Sequence, residues 1–253
     1  MAGRLQDKVA LVTGAGSGFG EGIVKRFAAE GAKVVVADID AENGQRVTDE
    51  IVTANGTATF VVADVANSAA SQAMFDATRD AYGNLDVSVL NAAIGMKPCP
   101  LAETEDEFFD HIFHINVRSV FLGLKHSVHA MEGKGGSIIV TVSTAAIRPR
   151  PNLAVYNSTK GALVPMCKAL ALEVADQGIR VNGICPVAGE TPMLEVFLGD
   201  ADPVDGRTTF KNTVPLGRLS TPVDIANAAL FFADDESSLV TGTMLEIDGG
   251  RCI

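Results

Sequence analysis

The sequence predicts an α/β protein built on a doubly wound, mostly parallel sheet. Short apolar runs alternate with longer segments of helical period, and several runs are apolar throughout, as strands covered on both faces should be. No Pro/Ser linker, long charge run or repeat divides the chain, so one domain over residues 1–253 is expected.

The elements follow in order. Strand-like runs rich in Val and Ile lie at 9–13, 33–37, 57–62, 87–90, 137–142, 180–184 and 244–247. Helical segments lie between them at 19–30, 41–54, 68–82, 104–131, 153–176 and 222–233. Right-handed crossovers then put helices on both faces of a seven-stranded sheet, a three-layer arrangement. Pro165 falls inside the 153–176 helix and should bend it. That helix is apolar almost all round, so a second subunit is expected to cover part of it, in a dimer or a homotetramer. The stretch 188–216 carries Gly189, Pro192, Gly199, Pro203, Gly206 and Pro215 and reads as an irregular lid or binding loop.

Composition excludes several classes. With 20 basic and 31 acidic residues, the net charge of -11 repels phosphate backbones and anionic lipid, so no nucleic-acid or membrane partner is expected. Four cysteines form no C-x-x-C pair, and with 4 His neither a disulfide framework nor a metal site is indicated. The first residues carry charges where a signal peptide needs an apolar stretch, and no run approaches about 18 apolar residues. A cytoplasmic location is the expectation.

The first strand runs into Thr13-Gly14-Ala15-Gly16-Ser17-Gly18-Phe19-Gly20, and a helix follows. Glycines let a backbone turn tightly and approach a pyrophosphate, which then sits at the helix N-terminus. Asp38 ends the second strand, where a carboxylate can accept both ribose hydroxyls of NAD and repel the 2′-phosphate of NADP. Asp40 is the better helix N-cap of the pair. Asp64 by itself is a turn residue, and Asn116, polar among apolar neighbours, is by itself a satisfied core amide.

Tyr156 and Lys160 stand at i and i+4, on one helix face. A free phenol is a poor base at neutral pH, and a neighbouring ammonium favours the phenolate. Ser143 follows the strand that precedes that helix, and strand C-terminal ends are where open α/β sheets bind ligands. Arg148 and Arg150 follow Ser143; solvated loop arginines are the plainer reading, contacts to an anionic substrate the sharper one.

Taken together, T-G-x-x-x-G-x-G, Asp38, Asp64, Asn91, Asn116, Ser143, Tyr156-x-x-x-Lys160, Pro186 to Thr191 and Asp248-Gly249-Gly250 resemble the short-chain dehydrogenase/reductase family. The resemblance runs the length of the chain and extends to 3-oxoacyl-carrier-protein reductase-like and glucose 1-dehydrogenase-like members. It implies a Rossmann fold and hydride transfer between NAD and a small-molecule secondary alcohol or ketone. It implies a catalytic set of Asn116, Ser143, Tyr156 and Lys160. Tyr156 would be the acid/base, Lys160 its activator and a ribose contact, and Ser143 the substrate-oxygen contact. Asn116 would hold a proton-relay water on its backbone carbonyl. The implied cofactor contacts are Gly14, Ser17, Gly18, Phe19 and Gly20, then Asp38 and Ile39, Asp64 and Val65, Asn91 and Ala92. Tyr156, Lys160, Pro186, Val187, Gly189 and Thr191 complete the set.

The sequence departs from the family pattern twice. The usual N-N-A-G is Leu90-Asn91-Ala92-Ala93, and the Gly after Pro186 is Val187, which would resist a positive φ and send the loop along another path. Substrate identity is open. Ala145, Ile147, Leu153, Val187 and the 188–216 segment are the pocket candidates. The rival readings are a 3-oxoacyl-thioester reductase, disfavoured by weakly basic helix ends, and a polyol dehydrogenase, suggested by Pro149-Arg150-Pro151. A non-catalytic NAD-binding regulator would be favoured only by a broken Tyr-Lys-Ser-Asn set.

Overall fold

A computed structural model describes residues 3–253. The strands are β1 (Val9–Thr13), β2 (Lys33–Asp38), β3 (Thr57–Val62), β4 (Val87–Leu90), β5 (Gly136–Thr141), β6 (Ile179–Pro186) and β7 (Met244–Ile247). They form one seven-stranded sheet of order β3-β2-β1-β4-β5-β6-β7, parallel at every pairing. Chain direction across the sheet reverses between β1 and β4, so a crevice opens where both strands end. That is the place an open parallel sheet offers a ligand.

The helices are α1 (Gly18–Ala29), α2 (Ala41–Thr53), α3 (Ser68–Tyr82), α4 (Asp106–Phe113), α5 (Ser119–Met131), α6 (Ala154–Glu173), α7 (Met193–Leu198), α8 (Pro203–Lys211) and α9 (Pro222–Ala233). One core packs Ile23 and Phe27 of α1 and Ile225 and Phe232 of α9 against one face of the sheet. The other packs Met74 of α3, Leu124 of α5 and Leu163 of α6 against the opposite face. β1 and β4 are buried at every residue because both cores cover them. Asp40 caps α2 through the Asn43 N–H, as expected. Thr221 and Asp224 make a reciprocal capping box at α9.

Three elements depart from the sequence reading. The 104–131 helix starts at Asp106 and is interrupted by a π-helical turn over His114–Arg118. One extra residue per turn leaves the apolar pattern nearly intact, so hydrophobic period does not reveal it. The 188–216 stretch is folded, holding α7 and α8, each too short for a periodic signal. Val187 is outside the residues of positive φ. Its N–H donates to the Ile247 carbonyl at 3.1 Å, so this position extends β6 toward β7 without strain.

Candidate active site

The turn after β1 is shaped by what glycine lacks. Gly14 and Gly18 take φ of +62° and +56°, the left-handed region that side chains avoid. A Cβ at Gly20 would lie 2.0 Å from the Gly14 carbonyl oxygen, so α1 packs directly on the turn. Ser17 precedes α1 in extended conformation and makes no side-chain cap, leaving the first-turn N–H groups without a side-chain acceptor. Those donors and the positive end of the helix suit an anionic diphosphate. Phe19 packs on Gly189, where a Cβ would lie 2.3 Å from its ring.

Asp38 faces this turn. Its carboxylate accepts from the Gly16 N–H at 2.8 Å and the Asp40 N–H at 2.9 Å. Arg46 lies beneath, donating to the Gly16 carbonyl at 3.0 Å, with its charge taken up by Glu21 and Glu50. Asn91 works as a latch between strand ends. Its amide donates to the carbonyls of Thr13 and Gly14 at 3.0 and 3.2 Å, and its oxygen accepts from the Thr141 hydroxyl at 3.1 Å. Asp64 accepts from the Ala66 N–H at 3.0 Å.

The Thr141 carbonyl at the end of β5 accepts from the Lys160 ammonium at 2.9 Å, deep in the protein. Burial draws Lys160 down from 10.5 to about 8. Burial likewise pushes the Tyr156 phenol up to about 12, opposed by a hydrogen bond with the Ser143 side chain. The pull that opposes desolvation comes from Ser143 and not from the Lys160 ammonium expected from the sequence. Ser143 Oγ also accepts from the Ala145 N–H at 3.0 Å, which fixes the hydroxyl at the strand end. Phe197 of α7 meets the Tyr156 ring edge-on, with centroids 4.9 Å apart.

These groups line one cleft of about 350 Å³. Every predicted cofactor residue borders it except Gly20, which acts from behind by its packing. Ser143, Tyr156 and Lys160 border it; Asn116 does not. Asn116 is fully buried and clamps the backbone of Ile94, whose N–H donates to its oxygen at 2.8 Å and whose carbonyl accepts from its amide at 2.9 Å. Its side chain thus sets one wall of the cleft. Ala145, Leu153 and Val187 line the substrate end, while Ile147 is 41% exposed and does not border the cleft. From the 188–216 segment Phe197 and Phe210 border the cleft, and so does Arg251, which the sequence reading missed. The first two come from α7 and α8, and the third arrives with the turn after β7.

Comparison with known proteins agrees with this fold. A family model described as enoyl-(acyl carrier protein) reductase matches residues 14–251. The chain is 40% identical over 251 residues to 4-formylbenzenesulfonate dehydrogenase of Comamonas testosteroni, covering 98% of this chain and 99% of that protein. Among solved structures, the NADH complex of 3-ketoacyl-(acyl-carrier-protein) reductase from Brucella melitensis superposes with a TM-score of 0.92. It shares 45% identity, over 98% of this chain and 100% of that one. A short-chain type dehydrogenase/reductase from Mycobacterium marinum gives 0.91 at 33% identity, over 98% and 96% of the two chains.

Proposed function

The chain belongs to the short-chain dehydrogenase/reductase family, and from that premise we propose an NAD-preferring dehydrogenase that interconverts a secondary alcohol and its ketone. The carrying observation is that Ser143, Tyr156 and Lys160 border the same cleft as the glycine turn and Asp38. The fit to a nicotinamide dinucleotide rests on the Gly14–Gly20 cradle, the uncapped start of α1 and the Asp38 carboxylate. When bound, such a cofactor supplies the hydride acceptor or donor.

The protein's own groups move the proton. The Tyr156 phenol gives its proton to the substrate oxygen in reduction, and the phenolate takes it back in oxidation. A phenol held at about 12 by burial rests in the protonated form. The buried Lys160 ammonium then favours the phenolate that forms during reduction. The Ser143 hydroxyl donates to the substrate oxygen and orients it toward Tyr156. Asn116 keeps Ile94, and with it the cleft wall, in register.

Following NADH absorbance with a panel of secondary alcohols and ketones tests the activity. Tyr156→Phe is expected to lose about 10²–10⁴-fold in turnover while NADH affinity stays within about twofold. A variant that keeps near-full rate with the best substrate defeats the role given to Tyr156. A second reading, reduction of 3-oxoacyl thioesters, is favoured by the likeness to the Brucella melitensis enzyme. An acetoacetyl thioester in the same panel decides between them, by kcat/KM against a simple ketone.

A further inference from the structure

The substrate end of the cleft holds three guanidinium groups and no carboxylate. Arg148, Arg150 and Arg251 all border it, whereas its two acidic residues, Asp38 and Asp64, sit at the glycine-turn end. Among the described residues, six arginines (Arg4, Arg26, Arg46, Arg79, Arg207 and Arg218) pair with Asp or Glu, whereas these three, like Arg118 and Arg180 elsewhere in the fold, do not.

Each of the three is anchored through neutral partners. Arg148 and Arg251 donate to each other's backbone carbonyls. Arg251 is only 5% exposed, and its Nε is buried with no acceptor. Asp248 is close enough to feel the Arg251 charge, but its oxygens accept from the N–H groups of Gly250 and Cys252 and it makes no ion pair with the guanidinium. Arg150 lies 4.0 Å above the centre of the Phe210 ring and donates to the Thr213 hydroxyl at 3.1 Å. Burial, with Arg251 beside it, lowers Arg150 to about 10, so it stays charged at neutral pH while lacking a counter-ion.

The position of Arg150 is tied to the chemistry. Asn157, the neighbour of Tyr156, donates from Nδ2 to the Arg150 carbonyl at 2.9 Å. The helix that presents the acid/base thus also fixes the arginine loop. Between them the walls are apolar, with Leu153, Met193, Phe197 and Phe210. A desolvated cation without an anion is costly, and a planar guanidinium suits a planar or trigonal oxyanion.

Building on the dehydrogenase reading above, we propose that the substrate carries a carboxylate or sulfonate on an apolar body, and that Arg150, flanked by Arg148 and Arg251, binds that anion. The carbinol or carbonyl end then reaches Tyr156 and Ser143. Substrates of the same size without the charge leave the guanidinium groups unpaired.

Binding to the enzyme–NADH complex tests this without requiring turnover. The probes are 4-acetylbenzoate, 4-acetylbenzenesulfonate and the neutral 4-methylacetophenone, measured by calorimetry at fixed ionic strength. At least one anion is expected to bind about tenfold or more tightly than the neutral ketone. Arg150→Met should erase most of that preference, and Arg150→Lys should keep part of it. Equal binding of charged and neutral probes, or no anion binding, overturns the proposal. So does an Arg150→Met variant whose NADH affinity falls as far as its anion affinity, because the arginine would then serve the cofactor. The NADH assay on neutral ketones judges the dehydrogenase reading separately: turnover there with no anion preference leaves that reading standing and removes this one.

Discussion

Cofactor choice is decided at a single carboxylate. The 2′-phosphate of NADP brings about two negative charges to the Asp38 end of the cleft. Like charges ~4 Å apart at an effective dielectric of ~20 repel by about 4 kcal/mol, an upper figure because the site is open to solvent. Half of that is still more than tenfold in affinity. Ser17 and Ile39 offer no cation, and Arg46 beneath the turn is already held by Glu21 and Glu50. NAD is therefore expected to be preferred in kcat/KM. Asp38→Ala should relax the preference, and adding Ser17→Arg should reverse it. Equal use of both cofactors by the unmodified enzyme would show that Asp38 does not face the ribose. Lys160 makes a second residue-scale prediction, read in stability. Its buried ammonium titrates at about 8 instead of 10.5, so between those values the unfolded chain holds more protons than the folded one. Stability from this group accordingly rises as pH rises through that window, and at pH 7 the charge costs up to about 3 kcal/mol. Lys160→Met should thus be at least as stable as the parent in urea at pH 7 despite losing turnover. The difference should shrink by pH 9.5. Parallel stability profiles for the two proteins would mean that the Thr141 hydrogen bond fully offsets the burial.

Between residues and fold, the β1–α1 turn is the element on which the cofactor end depends. A methyl at Gly20 would sit 2.0 Å from the Gly14 oxygen and 2.8 Å from the Asn91 amide, both parts of the frame that holds the turn. Gly20→Ala should push α1 off β1, costing about 1–3 kcal/mol in urea denaturation and weakening NADH binding. Unchanged stability with unchanged binding would show that the turn yields freely. This element was legible from sequence because glycine spacing, strand and helix all fall within one short window. The Ser143–Tyr156–Lys160 group was legible because the last two share a helix face and the first closes the preceding strand. Other parts were hidden for identifiable reasons. The π-helical turn at Asn116 adds one residue without disturbing the apolar rhythm, so its buried amide was readable only as polar among apolar. α7 and α8 are short and rich in Gly and Pro at their ends, which reads as loop. Arg251 joins Arg148 only because β7 closes the sheet edge, a contact 103 residues long that no local pattern encodes.

At the scale of the whole molecule, the exposed large apolar side chains include three on α4, α5 and α6. Phe121 of α5 is 51% exposed, Phe109 of α4 is 44% exposed, and Leu172 of α6 is 83% exposed. α6 packs its Leu163 and Cys167 side on the sheet and leaves a surface that carries few charges. A net charge of -11 drives copies apart, so any association must come from apolar area and not from charge pairing. We expect a homotetramer, with a dimer as the least assembly, formed through these helices. A stable contact needs about 800 Å² from each partner, more than isolated exposed side chains supply and within reach of two adjacent helices. Light scattering at micromolar concentration should report an assembled species. Phe121→Glu should shift it toward smaller ones, because each interface would then bury an unpaired carboxylate. The same change should leave cofactor binding in place, since Phe121 does not border the cleft. A wild-type chain that scatters as a monomer would remove assembly as the reason for this apolar face.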